Sequence, residues 1–371
     1  SPSEVDFKET TGRIGLDWQI NDNSMAYLFY TRGYKPGGFN PPQNATLATE
    51  TVKYIFDPEI IDAVEVGMKN VLMDGTLVVN AAAFTYKYGG LQTTRIRNNN
   101  SINDNIDANI YGLEVESFWK PESVPGLSID ASYSHLVAEV DGSTSLDPVN
   151  RTAGNDDYIT LNNIDPGSAT GVNYIARASD ITDDIVQAAY ATCSANSDLS
   201  PNAGTTCPDV LPGTVYTGVG GASHIPTYFS RNFLAAAGVE VSDGLNTPLD
   251  GNTLPGAPEH MIHIGVAYTW PLTNLASALT ARWDYSWRSE QYAREFNTIG
   301  DQIDAWDQHN LSLIYESDDG HWQGRLWVRN VLDDDNITGK YLTSDTSGFF
   351  RNYFLTEPRI WGASLRYAFG D

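Results

Sequence analysis

The chain has 371 residues, of which 41% are hydrophobic, and it carries a formal net charge of −25. A chain this acidic does not suit binding to nucleic acid, because phosphates attract a basic surface. No run approaches the roughly 20 consecutive apolar residues of a membrane-spanning helix, whereas the strands of a membrane barrel alternate and leave no such run. A soluble β-protein and a membrane β-barrel remain as the two main classes.

Strict alternation of apolar and polar residues recurs along the chain and predicts strands with one apolar and one polar face. We predict eleven strands, at residues 12–20, 25–36, 57–70, 76–97, 107–119, 127–140, 258–270, 275–289, 304–316, 321–332 and 357–369. Several are much longer than the roughly five or six residues usual in soluble proteins, and they match the roughly nine to eleven residues of a tilted membrane strand. The predicted fold is an all-β, antiparallel, up-and-down transmembrane β-barrel.

The second predicted strand ends in the sequence LFYTRGYKPGGFNPP, residues 28–42. Aromatic residues collect at the lipid–water boundaries of membrane proteins. We therefore expect Tyr27, Tyr30 and Tyr34 at the outer boundary. The Gly/Pro-rich part that follows predicts an exposed extracellular loop at residues 37–40.

The predicted connections alternate between short and long without exception. Outer-membrane barrels have short periplasmic turns and long extracellular loops. Such barrels have an even number of strands, and they normally begin with an upward one. This chain has an odd number of predicted strands, and the first of them would run downward. We therefore predict that further strands precede this chain. The short turns lie at 21–24, 71–75, 120–126, 271–274 and 317–320, and the long segments lie at 34–56, 98–106, 141–257, 290–303 and 333–356.

Segment 141–257 is too long for an ordinary loop, and we interpret it as an extracellular loop or cap inserted in the barrel domain. Cys193 and Cys207 flank a polar stretch within it, which predicts a disulfide and an oxidising compartment. Two unpaired thiols are the alternative. Residues 180–193 have helical spacing, and residues 225–241 suit either a helix or a strand pair. The segment is either a folded cap or a partly mobile loop.

Sequence motifs for catalysis are absent, so we predict no enzyme, no catalytic residues and no cofactor. The sequence contains no G-x-S-x-G, H-E-x-x-H or phosphate-binding loop. The six histidines show no metal-ligand spacing, and we predict no metal site. Residues 333–336 begin like a calcium loop but lack its later glycine and glutamate. On the polar strand face, Arg282, Asp284 and Arg288 form either a salt-bridge ladder or a ligand track.

Seven segments, in order, resemble motifs of the TonB-dependent receptors. These segments are YTRGYKPGGFN (30–40), PEIIDAVEVGMKN (58–70), NAAAFTYKYGGLQ (80–92), YGLEVES (111–117), LPGAPEH (254–260), LWVRNVLDD (326–334) and EPRIWGASLRYAFGD (357–371). The family barrel has 22 strands around an N-terminal plug. The resemblance therefore implies that residues 1–371 are a partial barrel domain, its eleven C-terminal strands, with the plug absent from this chain.

The resemblance also implies positions for specific residues. The motif residues of the first segment are Tyr30, Arg32, Gly33, Tyr34, Gly37, Gly38, Phe39 and Asn40. Tyr367 and Phe369 end the last strand and match the signal that barrel-insertion machinery recognises. Arginines near predicted extracellular strand ends are candidate contacts for an anionic ligand, and these are Arg95, Arg97, Arg294 and Arg351.

The implied function is active import of a scarce nutrient, most often a ferric siderophore, across the Gram-negative outer membrane. Ligand binds at extracellular loops, and the TonB–ExbB–ExbD complex energises a rearrangement of the plug. The implied partners are this complex, outer-membrane lipid, the barrel-assembly machinery and a small-molecule ligand, with no nucleic acid. The alternatives are a passive porin-like channel and a soluble secreted carbohydrate-binding β-protein.

Overall fold

The computed structural model describes residues 4–41, 53–97, 100–165, 170–188, 231–343 and 349–369. Strands dominate this part of the chain, and its helices are short. None of the described helices is long and apolar enough to span a membrane.

The strands, numbered along the chain, are β1 (Gly12–Asn21), β2 (Ser24–Lys35), β3 (Gly38–Phe39), β4 (Ile55–Phe56), β5 (Glu59–Leu72), β6 (Leu77–Arg97), β7 (Asn100–Trp119), β8 (Leu127–Asp141), β9 (Thr144–Leu146), β10 (Tyr158–Asp165), β11 (Thr170–Arg177), β12 (Val241–Ser242), β13 (Asn246–Pro248), β14 (His260–Leu272), β15 (Ser277–Arg288), β16 (Gln291–Tyr292), β17 (Gln302–Ile303), β18 (Trp306–Ser317), β19 (Trp322–Arg329), β20 (Ile337–Leu342), β21 (Arg351–Leu355) and β22 (Ile360–Tyr367). The described α-helical residues are α1 at 183–188 and α2 at Arg231–Ala236. Short 3-10 turns lie at Met73–Gly75, Ala178–Asp180, Thr273–Leu275 and Ile299–Asp301.

One eleven-stranded sheet forms most of the structure, in the order β1-β2-β5-β6-β7-β8-β14-β15-β18-β19-β22. Its strands follow one another along the chain and pair antiparallel throughout. All eleven predicted strands are present, with ends that differ by a few residues, so the predicted all-β antiparallel fold class is confirmed. We call the end of this main sheet that carries the long connections the long-loop end.

The main sheet has one apolar and one polar face, because successive side chains of a strand point in opposite directions. The register aligns Leu16 with Leu28 and Leu28 with Val66 on the apolar side, which we call the outer face. Side chains on this face remain widely exposed, and the exposed fraction reaches 80% at Trp361 and 73% at Leu365. A strand face on which apolar side chains are exposed in this way suits contact with lipid.

The predicted long segment at 98–106 is wrong, because strand structure continues through most of it. β6 and β7 form a hairpin of 21 and 20 residues. Its register shifts near Gly90, where φ is +69°. Ile102 and Ile106, which are 1% and 2% exposed, mark the buried face of this extension. The many Asn and Asp residues around them hide the alternation in the sequence.

The described part of segment 141–257 folds into a small unit of its own, which we call the cap. β10 and β11 pair along their full length, and β12 adds a third strand. Their core contains Leu161, Tyr174, Ala176, Leu234 and Val239. Within 180–193, where the spacing is helical, α1 is present in part, and within 225–241, where a helix and a strand pair were both open, α2 is present. The described residues of the segment are therefore folded, with a core of their own.

A second apolar cluster joins the returning end of the cap segment to the extended strands. Leu249 and Leu254 pack against Ala108, Ala138 and other residues of β7 and β8. The N–H of Leu254 also donates to the carbonyl of Ala138 at 2.9 Å. The cap segment is thus held on the main sheet by both apolar contact and backbone hydrogen bonds.

Candidate functional site

The polar side of the main sheet, which we call the inner face, carries a charged cluster across three neighbouring strands. Nη1 of Arg282 in β15 donates to Oδ1 of Asp130 in β8 at 2.8 Å, and its Nε and Nη2 donate to Oδ1 of Asp284 at 2.8 and 2.6 Å. Nε2 of His263 in β14 lies 3.2 Å from Oδ2 of Asp130. Cross-strand pairing therefore assembles one guanidinium, two carboxylates and one imidazole on the inner face.

This cluster bears on the two interpretations of Arg282, Asp284 and Arg288. The first two form an ion pair, as the ladder interpretation expects. Arg288 is not part of it, because its guanidinium lies over the ring of Trp306, 4.4 Å from the ring centre. The sequence spacing did not reveal that the aromatic partner comes from the adjacent strand.

A concavity of about 250 Å³, lined by both polar and apolar residues, lies beside the cluster on the inner face. Among its lining residues are Glu116, Asp130, Ser132 and His263. Polar and charged groups on such a face meet water, a ligand or another protein segment in a membrane barrel. The concavity is therefore a candidate surface for passing or contacting a polar molecule.

Tyr27 lies on the inner face, so its expected place at the outer boundary is wrong. Its hydroxyl donates to Oε1 of Glu65 at 2.8 Å, and Nζ of Lys69 lies 5.9 Å from its ring centre. The period of two along β2 places Tyr30 and Tyr34 on the opposite face. Because β2 carries aromatic residues on both faces, apolarity alone did not distinguish them.

The outer face ends in a polar group at the long-loop end of β2 and β5. Nε and Nη2 of Arg32 donate to the carboxylate of Asp62 at 2.8 and 2.7 Å, and the Tyr30 hydroxyl donates to the same carboxylate. These side chains are partly exposed. They mark the level at which the apolar band gives way to polar residues.

Asn40 is buried, at 2% exposure, which contradicts its expected place in an exposed loop. Its Nδ2 donates to the carbonyls of Lys53 and Asn103, both at 2.9 Å, and its Oδ1 accepts from the N–H of Asn103 at 2.7 Å. Its own N–H donates to the carbonyl of Tyr54 at 2.7 Å, and the Phe39 ring packs on the Tyr54 ring with centroids 5.3 Å apart. Asn40 therefore ties the first long connection to the β6–β7 hairpin.

The glycines of the same segment lie where side chains do not fit. A Cβ on Gly37 or Gly38 would collide with Phe56. A Cβ on Gly33 would approach Cγ2 of Ile61 at 3.1 Å. The close packing of β3 against β4 thus accounts for the glycine pair.

Two of the four candidate arginines, Arg95 and Arg97, lie in β6 near its long-loop end, but their side chains are outside the described part of the structure. Arg294 lies at the same end, in the connection after β15. Its Nε donates to Oδ1 of Asp301 at 2.7 Å and its Nη1 donates to Oδ1 of Asp147 at 3.0 Å. Burial acts to lower the pKa of Arg294, but the hydrogen bonds and charges of the two carboxylates raise it above its usual value. Its charge is thus compensated within the protein.

Arg351, the fourth candidate, begins β21 and is exposed. Its guanidinium lies over Gly300 in the neighbouring long connection, where a Cβ would collide with it. The structure therefore brings Arg294 and Arg351 to the same end of the main sheet and gives them different environments.

The last strand and the cysteines complete the predicted positions. Tyr367 ends β22, and its ring contacts Phe369 edge to face at 4.7 Å and Trp322 at the same distance. Phe369 is 91% exposed. Cys193 and Cys207 lie outside the described residues.

Comparison with protein families matches residues 2–219 to the family described as TonB dependent receptor-like, beta-barrel. Comparison with curated proteins gives no match. Among solved structures, the ferric yersiniabactin uptake receptor FyuA from Yersinia pestis is similar, at 15% identity and a TM-score of 0.57, over 97% of this chain and 37% of that one.

Two receptors from Acinetobacter baumannii have the same fold. The siderophore receptor PiuA is 13% identical with a TM-score of 0.51, over 96% of this chain and 35% of that one. The ferric preacinetobactin receptor BauA is 14% identical with the same TM-score, over 96% of this chain and 36% of that one. This chain thus spans little more than a third of the solved structures it matches.

Proposed function

Because this chain belongs to the TonB-dependent receptor β-barrel family, we propose that it forms part of the wall of a receptor that imports a small molecule across the outer membrane. The family is one of transport receptors, and it places the chain in the outer membrane of Gram-negative bacteria. The proposed activity is binding and gated passage, which needs no covalent chemistry on the transported molecule.

The observation that carries this proposal is the two-faced sheet of eleven strands. Its outer face offers lipid a band of exposed aliphatic and aromatic side chains. Its inner face holds the Arg282 cluster and the concavity beside it. Long connections and the cap gather at one end, where a ligand arriving from outside would be bound.

We extend the proposal to a ferric siderophore as the ligand class. The similar solved structures are described as receptors for ferric yersiniabactin and ferric preacinetobactin. Arg351, together with Arg95 and Arg97, is the proposed contact for an anionic ligand at the long-loop end. Transport then requires that the affinity for the ligand differs between a closed and an energised state. In this proposal, TonB–ExbB–ExbD supplies the energy through a plug.

A growth experiment in the native host tests the ligand class. The gene is deleted, and growth is measured under iron limitation with a panel of purified ferric siderophores as the sole iron source. We expect loss of growth on one siderophore or one chemical group of them, with normal growth on ferric citrate and on excess iron. Unchanged growth on every siderophore, or equal loss on all iron sources, would contradict the proposed ligand class.

A further inference from the structure

Two histidines and a glutamate meet on the outer face, where β8 and β14 run side by side. His135 and His260 are directly paired in the register of these strands. Their rings lie almost parallel, with centroids 4.9 Å apart. Glu259 precedes His260 and brings its carboxylate to both rings. We propose that His135, Glu259 and His260 bind a divalent transition-metal ion, with zinc as the representative case.

The ligand atoms are close enough to share one ion. Oε1 of Glu259 lies 3.8 Å from Nδ1 of His135 and 3.7 Å from Nε2 of His260. One such atom from each of the three residues lies within 4.8 Å of the others. Tetrahedral zinc with nitrogen and oxygen ligands near 2.0–2.1 Å separates them by about 3.3 Å. Small side-chain rotations therefore suffice to bring all three onto a metal ion.

The free nitrogen of each ring is the one that faces the glutamate. The hydroxyl of Tyr133 lies 3.0 Å from Nδ1 of His260. In the tautomer whose Nδ1–H donates to this oxygen, Nε2 carries the free lone pair of a metal ligand. Partners of this kind orient the histidines of metal sites and fix their tautomers. Nδ1 of His135 is hidden from solvent and has no hydrogen-bond partner, which a metal ion would supply.

The backbone holds this arrangement in place before any ion arrives. The N–H of Leu136 donates to the carbonyl of Glu259 at 2.8 Å. The N–H of His260 donates to Oγ of Ser289 at 3.0 Å, and the N–H of Ser289 returns a bond to the carbonyl of His260 at 2.9 Å. Sites on rigid strands keep their ligands more precisely than sites on loops.

The donor set indicates the class of ion. Imidazole nitrogens suit zinc, copper, nickel and iron, whereas magnesium and calcium prefer oxygen ligands throughout. Three protein ligands leave a fourth position of a tetrahedral ion for water or another molecule. The group lies toward the long-loop end of β8, so the site would sit on the outer rim, away from the inner face.

Zinc titration of the natural protein in detergent micelles tests the proposal. We expect one equivalent of Zn²⁺ to bind, and His135→Ala, His260→Ala and Glu259→Gln each to weaken binding by at least tenfold. Tyr133→Phe should weaken it by about 10–100-fold, the range for residues that orient metal ligands. His321→Ala, at the short-turn end, is the matched control and should leave the affinity unchanged.

Equal loss in the control, or unchanged binding in the double variant of His135 and His260, would overturn the proposal. Folding of each variant is checked by the heat-dependent gel mobility of barrels. The unaltered protein also provides a readout that needs no substitution. Bound Cu²⁺ should show electron paramagnetic resonance coupling to two imidazole nitrogens, and coupling to none or one contradicts the site.

Discussion

At the scale of single residues, Asn40 shows how a family motif acts through hydrogen bonding. Its amide uses both donor and acceptor atoms on Lys53 and Asn103, in a position that is almost fully buried. The family resemblance identified Asn40 as a motif residue. The glycine and proline residues beside it predicted an exposed loop. Its partners were not predictable from the sequence, because Lys53 and Asn103 lie 13 and 63 residues away in the chain.

Replacing Asn40 therefore leaves several buried backbone groups without partners. We expect Asn40→Ala to lower the free energy of unfolding by about 1–3 kcal/mol, the usual cost of unsatisfied buried polar groups. Denaturant unfolding in lipid vesicles, followed by tryptophan fluorescence, measures this change. Asn23→Ala in an exposed short turn is the control and should change stability little. Equal effects of the two substitutions would show that the hydrogen bonds of Asn40 are not stabilising.

At this same scale, the candidate arginines Arg294 and Arg351 have different environments, and the proposal gives them different roles. Arg294 is buried against Asp147 and Asp301, and removing one partner of a buried ion pair typically costs about 3–5 kcal/mol. We expect Arg294→Ala to destabilise the protein, and Arg351→Ala to lower affinity for the ferric siderophore without loss of stability. Thermal unfolding and ligand titration on both variants measure the two effects. A stable Arg294→Ala variant, or undiminished ligand affinity in Arg351→Ala, contradicts the assigned roles.

At the scale of strands, the period of two was the most informative feature of the sequence. It located all eleven strands of the main sheet, because each of these strands has an apolar outer face and a polar inner face. It failed at the start of β7, where polar residues dominate both faces, and for the small strands of the cap. Pairing there depends on neighbours that are distant in the chain, including the contacts of Leu249 and Leu254 with β7 and β8.

Charged substitutions on the two faces of β5 test this assignment. Val66 lies on the outer face, and Glu65 beside it points inward to Tyr27. We expect Val66→Arg to cost about 2–4 kcal/mol in a lipid bilayer, as for arginine near the midplane of a barrel. Glu65→Arg should cost less, since it faces the polar interior. Vesicle unfolding experiments on the pair report the difference, and a larger loss for Glu65→Arg would reverse the assigned faces.

At the scale of the whole molecule, the described strands form a continuous wall whose two terminal strands, β1 and β22, each pair on one side. Unpaired strand edges are very unfavourable in lipid, so we propose that further strands close this wall in the whole receptor. The resemblance in the sequence predicted the family, and the alternation of short and long connections predicted the up-and-down order of the strands. It did not predict the metal-ligand group of His135 and His260, because cross-strand pairing alone brings these residues together.

Energised uptake is the central claim for the whole protein, and one measurement tests it directly. Radiolabelled ferric siderophore is supplied to cells that carry the receptor gene, with and without an intact tonB gene. We predict accumulation inside the cells only when TonB is present, with surface binding retained in its absence. Equal accumulation in both strains would contradict the account and would identify a passive channel instead.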